Sequence, residues 1–197
     1  MKYILLFVFV LLQITHVAAQ EGHFGIRLGP SLTNLGGKEG VQGANYITGY
    51  HVGIYYNVML GNRLSIEPGL QYAQKGSKSD VDQRGFSSTV KNNYIDAPLL
   101  LRYNLLGPIN IFGGLQPSVL VSSALILDER GNKDRLSGRD VKSLWQDFDF
   151  ASVVGVGAEV FKGFNVQVSY DHGLVNVSEI SNAVSNRGFK FSVGKSF

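Results

Sequence analysis

Histidine is the side chain whose ordinary pKa suits proton transfer near neutral pH, and this 197-residue chain has four. His16 lies in a leading apolar stretch, and His23 sits where the first alternating pattern begins. His51 and His172 fall near the ends of two others and read as rim residues. Asp171-His172 is the one adjacent acid–imidazole pair, but neighbours on a strand point to opposite faces. A Ser/His/Asp arrangement needs a base within hydrogen-bond reach of its nucleophile. The scattered histidines supply none, so no catalytic residue is assigned and the chain reads as not an enzyme. Cysteine is absent, and dispersed histidines do not make a metal set; no metal or cofactor is expected. Gly155-Val156-Gly157 copies part of a dinucleotide loop, yet it sits inside a strand pattern with no helix after it. Glycine there reads as close packing in a narrow interior.

The remaining chemistry is charge placed away from bulk water. Arg27, Glu67, Lys75, Asp96, Arg102, Asp149, Glu159, Asp171 and Lys190 all lie within alternating segments, each on the less apolar face. The rest of that face is mainly Gly, Ser, Asn and Gln, too thinly charged for a surface facing water. Turned inward, the nine would form a charge network in a lumen, with four positive members against five negative. Counting height from the short turns places Glu67 near Arg102, Lys75 near Asp96, and Asp171 near Lys190.

Strands must position these groups. Along Gly49–Ser77, Val52, Ile54, Tyr56 and Val58 alternate with His51, Gly53, Tyr55 and Asn57. After Gly61-Asn62 the row Leu64, Ile66, Pro68, Leu70 alternates with Ser65, Glu67, Gly69 and Gln71. Period two is the strand signature. It recurs over 23–32, 94–105, 109–122, 147–161, 164–172 and the end of the chain. Polar segments at 33–48, 78–93, 123–146 and 173–187 alternate with short turns at 61–63, 106–108 and 162–163. An all-β, eight-stranded antiparallel up-and-down transmembrane β-barrel accounts for that rhythm. A lipocalin uses the same meander with apolar residues inside, and the charges argue for the reverse. Tyr50, Tyr72, Tyr103, Phe164, Phe189 and Phe197 fit interfacial girdles. Trp145 is expected at the outer interface, and Arg63, Lys162 and Lys195 are placed to reach headgroups.

Composition agrees. Residues 1–19 read as a signal peptide, with Lys2, an apolar run to Leu12 and the small cleavage site Val17-Ala18-Ala19. Residues 20–197 form one barrel domain. Charged residues are 17%, against about 25% in soluble domains. A net charge of +3 without a basic run argues against nucleic acid. The run 128–142 reads as a solvated loop, and Asn176-Val177-Ser178 matches a glycosylation sequon to which no role is given. The expected surroundings are outer-membrane lipid and lipopolysaccharide.

The stretches GIRLGPSLTNL, GYHVGIYYNVMLGNRLSIEPGLQYAQKGS, NYIDAPLLLRYNL, VVGVGAEV and FKFSVGKSF resemble the PorT-like outer-membrane β-barrel family of the Bacteroidetes lineage. The resemblance covers most of residues 23–197 and implies a small outer-membrane barrel. Founding members are associated with protein secretion, a role that is not transferred to this chain; envelope or secretion proteins stand among the expected partners. Phe197 is similar to the terminal assembly signal read by the barrel-assembly machinery, with Lys195 where that signal often carries an aromatic. The resulting expectation is a non-enzymatic integral outer-membrane barrel. Its lumen would be plugged by side chains, and its long extracellular loops would serve surface contact or envelope and secretion machinery. The alternative is a gated passive transporter of small or apolar solutes.

Overall fold

A computed structural model describes residues 22–37, 44–79, 85–105, 107–180 and 184–197. The signal-peptide expectation for residues 1–19 lies outside them. Ten strands form one antiparallel sheet: β1 (Gly22–Gly36), β2 (Ile47–Met59), β3 (Leu64–Lys78), β4 (Phe86–Asp96), β5 (Leu99–Asn104), β6 (Ile109–Glu129), β7 (Asn132–Ser137), β8 (Phe148–Phe161), β9 (Phe164–Gly173) and β10 (Ser185–Ser196). One helical turn, α1 (Arg139–Lys142), follows β7.

The sheet closes on itself. β1 pairs with β2 (Ile26 opposite Ile54) and with β10 (Leu28 opposite Val193). Pairing then runs β2–β3, β3–β4 and β5, β4 and β5–β6, β6–β8, β8–β9 and β9–β10. β4 and β5 occupy one position in the ring, and β7 pairs only with β6 among the described strands. The ring is therefore eight strands around.

The β4–β5 interruption falls at Ala97-Pro98, where proline has no N–H to give a ladder. The ladder is mended on both sides: the Ala97 N–H donates to the Pro117 carbonyl, and the Gly69 N–H to the Pro98 carbonyl, each at 2.8 Å. Lys162-Gly163 makes a two-residue turn with φ of 37° and 80°, and Gly163 takes the left-handed conformation at no steric cost.

Outward side chains make an apolar belt. Phe24, Ile26, Leu28, Val52, Ile54, Leu101, Ile111, Val154, Val156 and Val193 are all exposed, as a lipid-facing surface requires. Tyr50 lies 5.9 Å from Tyr72, and Tyr170 lies 4.9 Å from Phe189, ring centre to ring centre.

Two boundaries differ from the sequence expectation. The segment 78–93 is mostly strand, since β4 starts at Phe86, and β6 runs on past Ser122 to Glu129 and turns back as β7. With 21 residues β6 far exceeds the roughly 9–11 that span a bilayer. The stretch 86–93 is mainly polar and all six β7 residues are exposed, so no apolar row marks these strands in the sequence. A bulge at Val121 also resets parity, with Tyr94 opposite Leu120 but Asn93 opposite Ser122. Ser122 thus faces outward, while Leu120 and Ser123 are buried inside.

Candidate functional site

The inward face carries two charged layers. In the layer nearer the short turns, β1 supplies Arg27, β3 supplies Glu67 and β5 supplies Arg102. Arg102 grips Glu67 bidentately, Nε to Oε2 and Nη2 to Oε1 at 2.8 Å each. Arg27 Nη1 donates to the same Oε1 at 2.8 Å. Arg102 also donates to Asn110 Oδ1 at 2.7 Å and Gln167 Oε1 at 2.6 Å. Each guanidinium stacks on an aromatic ring, Arg27 on Tyr55 at 4.0 Å and Arg102 on Phe112 at 4.3 Å. Phe112 reaches that position beneath Gly155, where a Cβ would lie 2.3 Å from its ring.

The layer nearer the long loops joins Lys75 on β3, Asp96 on β4, Asp149 on β8, Asp171 on β9 and Lys190 on β10. Lys75 Nζ lies 3.0 Å from Asp96 and 3.2 Å from Asp149. Lys190 Nζ lies 3.3 Å from Asp96 and 2.6 Å from Asp171. Lys75 also sits over the fully buried Tyr94 ring at 4.6 Å. Between the layers lies a belt of glutamines. Gln71 donates to Asp96 at 3.0 Å, and Gln116 donates to Asp171 at 3.3 Å while accepting from Lys190 at 3.1 Å. A cavity of about 30 Å³ lies there, lined by Gln71, Gln116 and Gln167.

Eight of the nine residues expected in the lumen thus meet in these layers. Glu159 does not. It is exposed at the short-turn end of β8, and its Oε1 accepts the Gly163 N–H at 3.0 Å. It still pairs with Asn165 and lines the cavity at that end of the lumen, too far towards the mouth to join either layer; the register shifts only beyond it, before Phe161. His51 also departs from expectation: it is buried, not at the rim, and its Nε2 lies 2.8 Å from Ser192 Oγ. Buried Nδ1 has no partner among the described residues, so no acid among them orients the ring as a catalytic base would need. Among the described residues no group of three or more His, Asp or Glu could hold a metal ion. Tyr94, Gln71, Gln116 and Gln167 share strand parity with the charged residues; uncharged, they gave no signal of belonging to the network.

The two ends of the lumen differ. At the long-loop end Leu35, Val177 and Val184 form a buried apolar cluster against Trp145. Trp145, expected at the outer interface, packs half-buried against this cluster as part of a cap. Two loops are stitched there by Gln146 N–H to Val177 O and Glu179 N–H to Leu144 O, both 3.0 Å. Asn176 of the sequon turns inward on its own loop, Oδ1 accepting the Val184 N–H at 2.9 Å. At the short-turn end a cavity of about 520 Å³ opens outward and stops at Arg27, Glu67 and Arg102.

A family model described as an outer membrane protein beta-barrel domain matches residues 18–179. No curated protein matches the sequence. Among solved structures, Neisserial surface protein A is similar with a TM-score of 0.53 and 13% identity, over 90% of this chain and 100% of that one. Ail, the attachment invasion locus protein of Yersinia pestis, is similar with a TM-score of 0.50 and 11% identity, over 90% and 99% of the two chains. At these identities the likeness is one of fold.

Proposed function

The chain belongs to the outer membrane protein beta-barrel domain family and is an integral protein of the bacterial outer membrane, and from that premise we propose that it is a sealed, non-enzymatic barrel whose work is done by its outward-projecting loops. One observation carries this reading: the lumen is filled by paired charges while β6 and β7 continue well past the lipid belt. An interior of roughly eight strands is narrow enough for side chains to fill. Opposite charges held within hydrogen-bond distance leave no ion path. The exposed β6–β7 hairpin offers backbone and charged side chains to a macromolecule at the cell surface or to envelope machinery.

Planar-bilayer recording tests the seal. No steady single-channel conductance is expected from the purified barrel; a large steady conductance would support the gated passive transporter instead. A photo-crosslinker at Asn132 is expected to capture a macromolecule in the envelope, whereas one at Leu101, in the apolar belt, is expected to capture lipid alone. Equal capture of protein at both positions counts against the loop reading.

A further inference from the structure

The plug leaves a cup at one end of the barrel. Its volume, about 520 Å³, falls in the range of roughly 300–1,000 Å³ common to small-molecule sites. Its lining is polar in a particular way. Asn57, Asn104, Asn110 and Asn165 stand around it, and each amide carries two donors and an acceptor. Structural bonds use only part of that capacity: Asn57 donates to Ser65 at 3.0 Å, Asn165 donates to the Tyr55 hydroxyl at 2.8 Å, and Asn110 accepts from Arg102.

The floor is where charge decides the ligand. Arg27 and Arg102 bring two positive charges to the single carboxylate of Glu67. The layer beyond the glutamine belt has the opposite excess, three aspartates to two lysines. On the wall Lys162 and Glu159 offset each other, so one positive charge in the floor is balanced only at a distance, and its field reaches into the cup. Bacterial barrels place their short turns in the periplasm. We infer that the cup is a periplasm-facing binding site for a small oxyanion, carboxylate or phosphate, carried on a polar body. The arginines draw the anion to the floor, and the asparagines hold the body by paired donor and acceptor contacts. Because the path ends at the floor, the ligand enters and leaves by one mouth.

The test is a titration of the whole barrel in detergent micelles, following the side-chain amide signals of the four asparagines by NMR. The probes are acetyl-Ala-Ala with a free carboxylate, the same peptide as its C-terminal amide, and inorganic phosphate. Saturable millimolar shifts are expected with the free acid and none with the amide. If phosphate produces the same shifts, the site takes free small oxyanions; if only the peptide acid does, its ligand is a peptide terminus. Arg27→Gln removes the excess charge and leaves the Arg102–Glu67 pair, and Asn104→Phe fills the cup without touching that pair. Each is expected to weaken binding at least about tenfold. Heat-modifiable migration on gels checks that each variant is folded, and Asn104→Phe decides if Arg27→Gln is not. No saturable shift with either anion, equal shifts with acid and amide, or undiminished binding by folded Asn104→Phe overturns the inference. Conductance bears on the seal alone, so the two results are independent.

Discussion

Arg102 reaches Glu67 on a diagonal, because the residue directly opposite Arg102 in the ladder is Ser65. The stagger lets two parallel 2.8 Å bonds form and leaves Oε1 to be shared with Arg27. Breaking a buried pair by removing one partner costs about 3–5 kcal/mol. Glu67→Ala strands two guanidiniums and is expected to be the most damaging change in this layer. Arg102→Ala leaves Glu67 with Arg27 and should cost less. Adding Arg102→Ala to Glu67→Ala is expected to recover part of the loss, since one buried charge then remains in place of two. Urea unfolding of the four species in lipid vesicles measures the coupling; strict additivity would remove the ion-pair account.

Asp96 is the shared acceptor of the second layer, serving both Lys75 and Lys190. Asp171 among these ion pairs serves Lys190 alone. Asp96→Asn is therefore expected to lower the urea midpoint more than Asp171→Asn does. The reverse order would place the weight of the network elsewhere.

Val177 has no exposed surface and lies at the centre of the cap. Val177→Asp puts a carboxylate into that apolar cluster, a burial that costs several kcal/mol unless the loops part. The loops stitched across 144–146 and 177–179 are expected to separate while the barrel stays closed. Limited trypsin digestion should then cut after Arg139 or Lys142 faster than in the wild type, with heat-modifiable migration unchanged.

Gly155 admits Phe112 under Arg102, and a Cβ there would also lie 2.5 Å from the Val168 carbonyl oxygen. Gly155→Ala is expected to destabilise the barrel by about 1–3 kcal/mol through overpacking. Gly61→Ala, with no atom within 4 Å of the added carbon, serves as its control in the same unfolding assay.

Asn132 and Asn62 are both exposed, at opposite ends of the ring. A cysteine at Asn132 is expected to react with an impermeant maleimide on intact cells, and one at Asn62 only after the outer membrane is opened. The opposite labelling pattern would invert the topology and move the cup to the cell surface.

Much of this architecture was legible in residue order because a strand states its two faces outright. Period two put Phe24, Ile26 and Leu28 on one side and Arg27 on the other, and the low charge density of the second face told lipid from water. Height along a strand was legible too, counted from short turns, and it brought Glu67 towards Arg102 and Asp171 towards Lys190. Contacts across the lumen were not. Lys75 reaches Asp149 over 74 positions and Lys190 reaches Asp96 over 94, between strands that are not neighbours in the ring. Which strands face each other depends on strand number and stagger once the ring closes, and no local pattern encodes that. The strands above the lipid were hidden for a different reason. There 86–93 is mainly polar and β7 is exposed throughout, so no apolar row marks them, and the ladder of Phe86–Asp96 along β6 reveals them. Local periodicity thus settled which way each side chain points, and closure of the sheet decided what it meets.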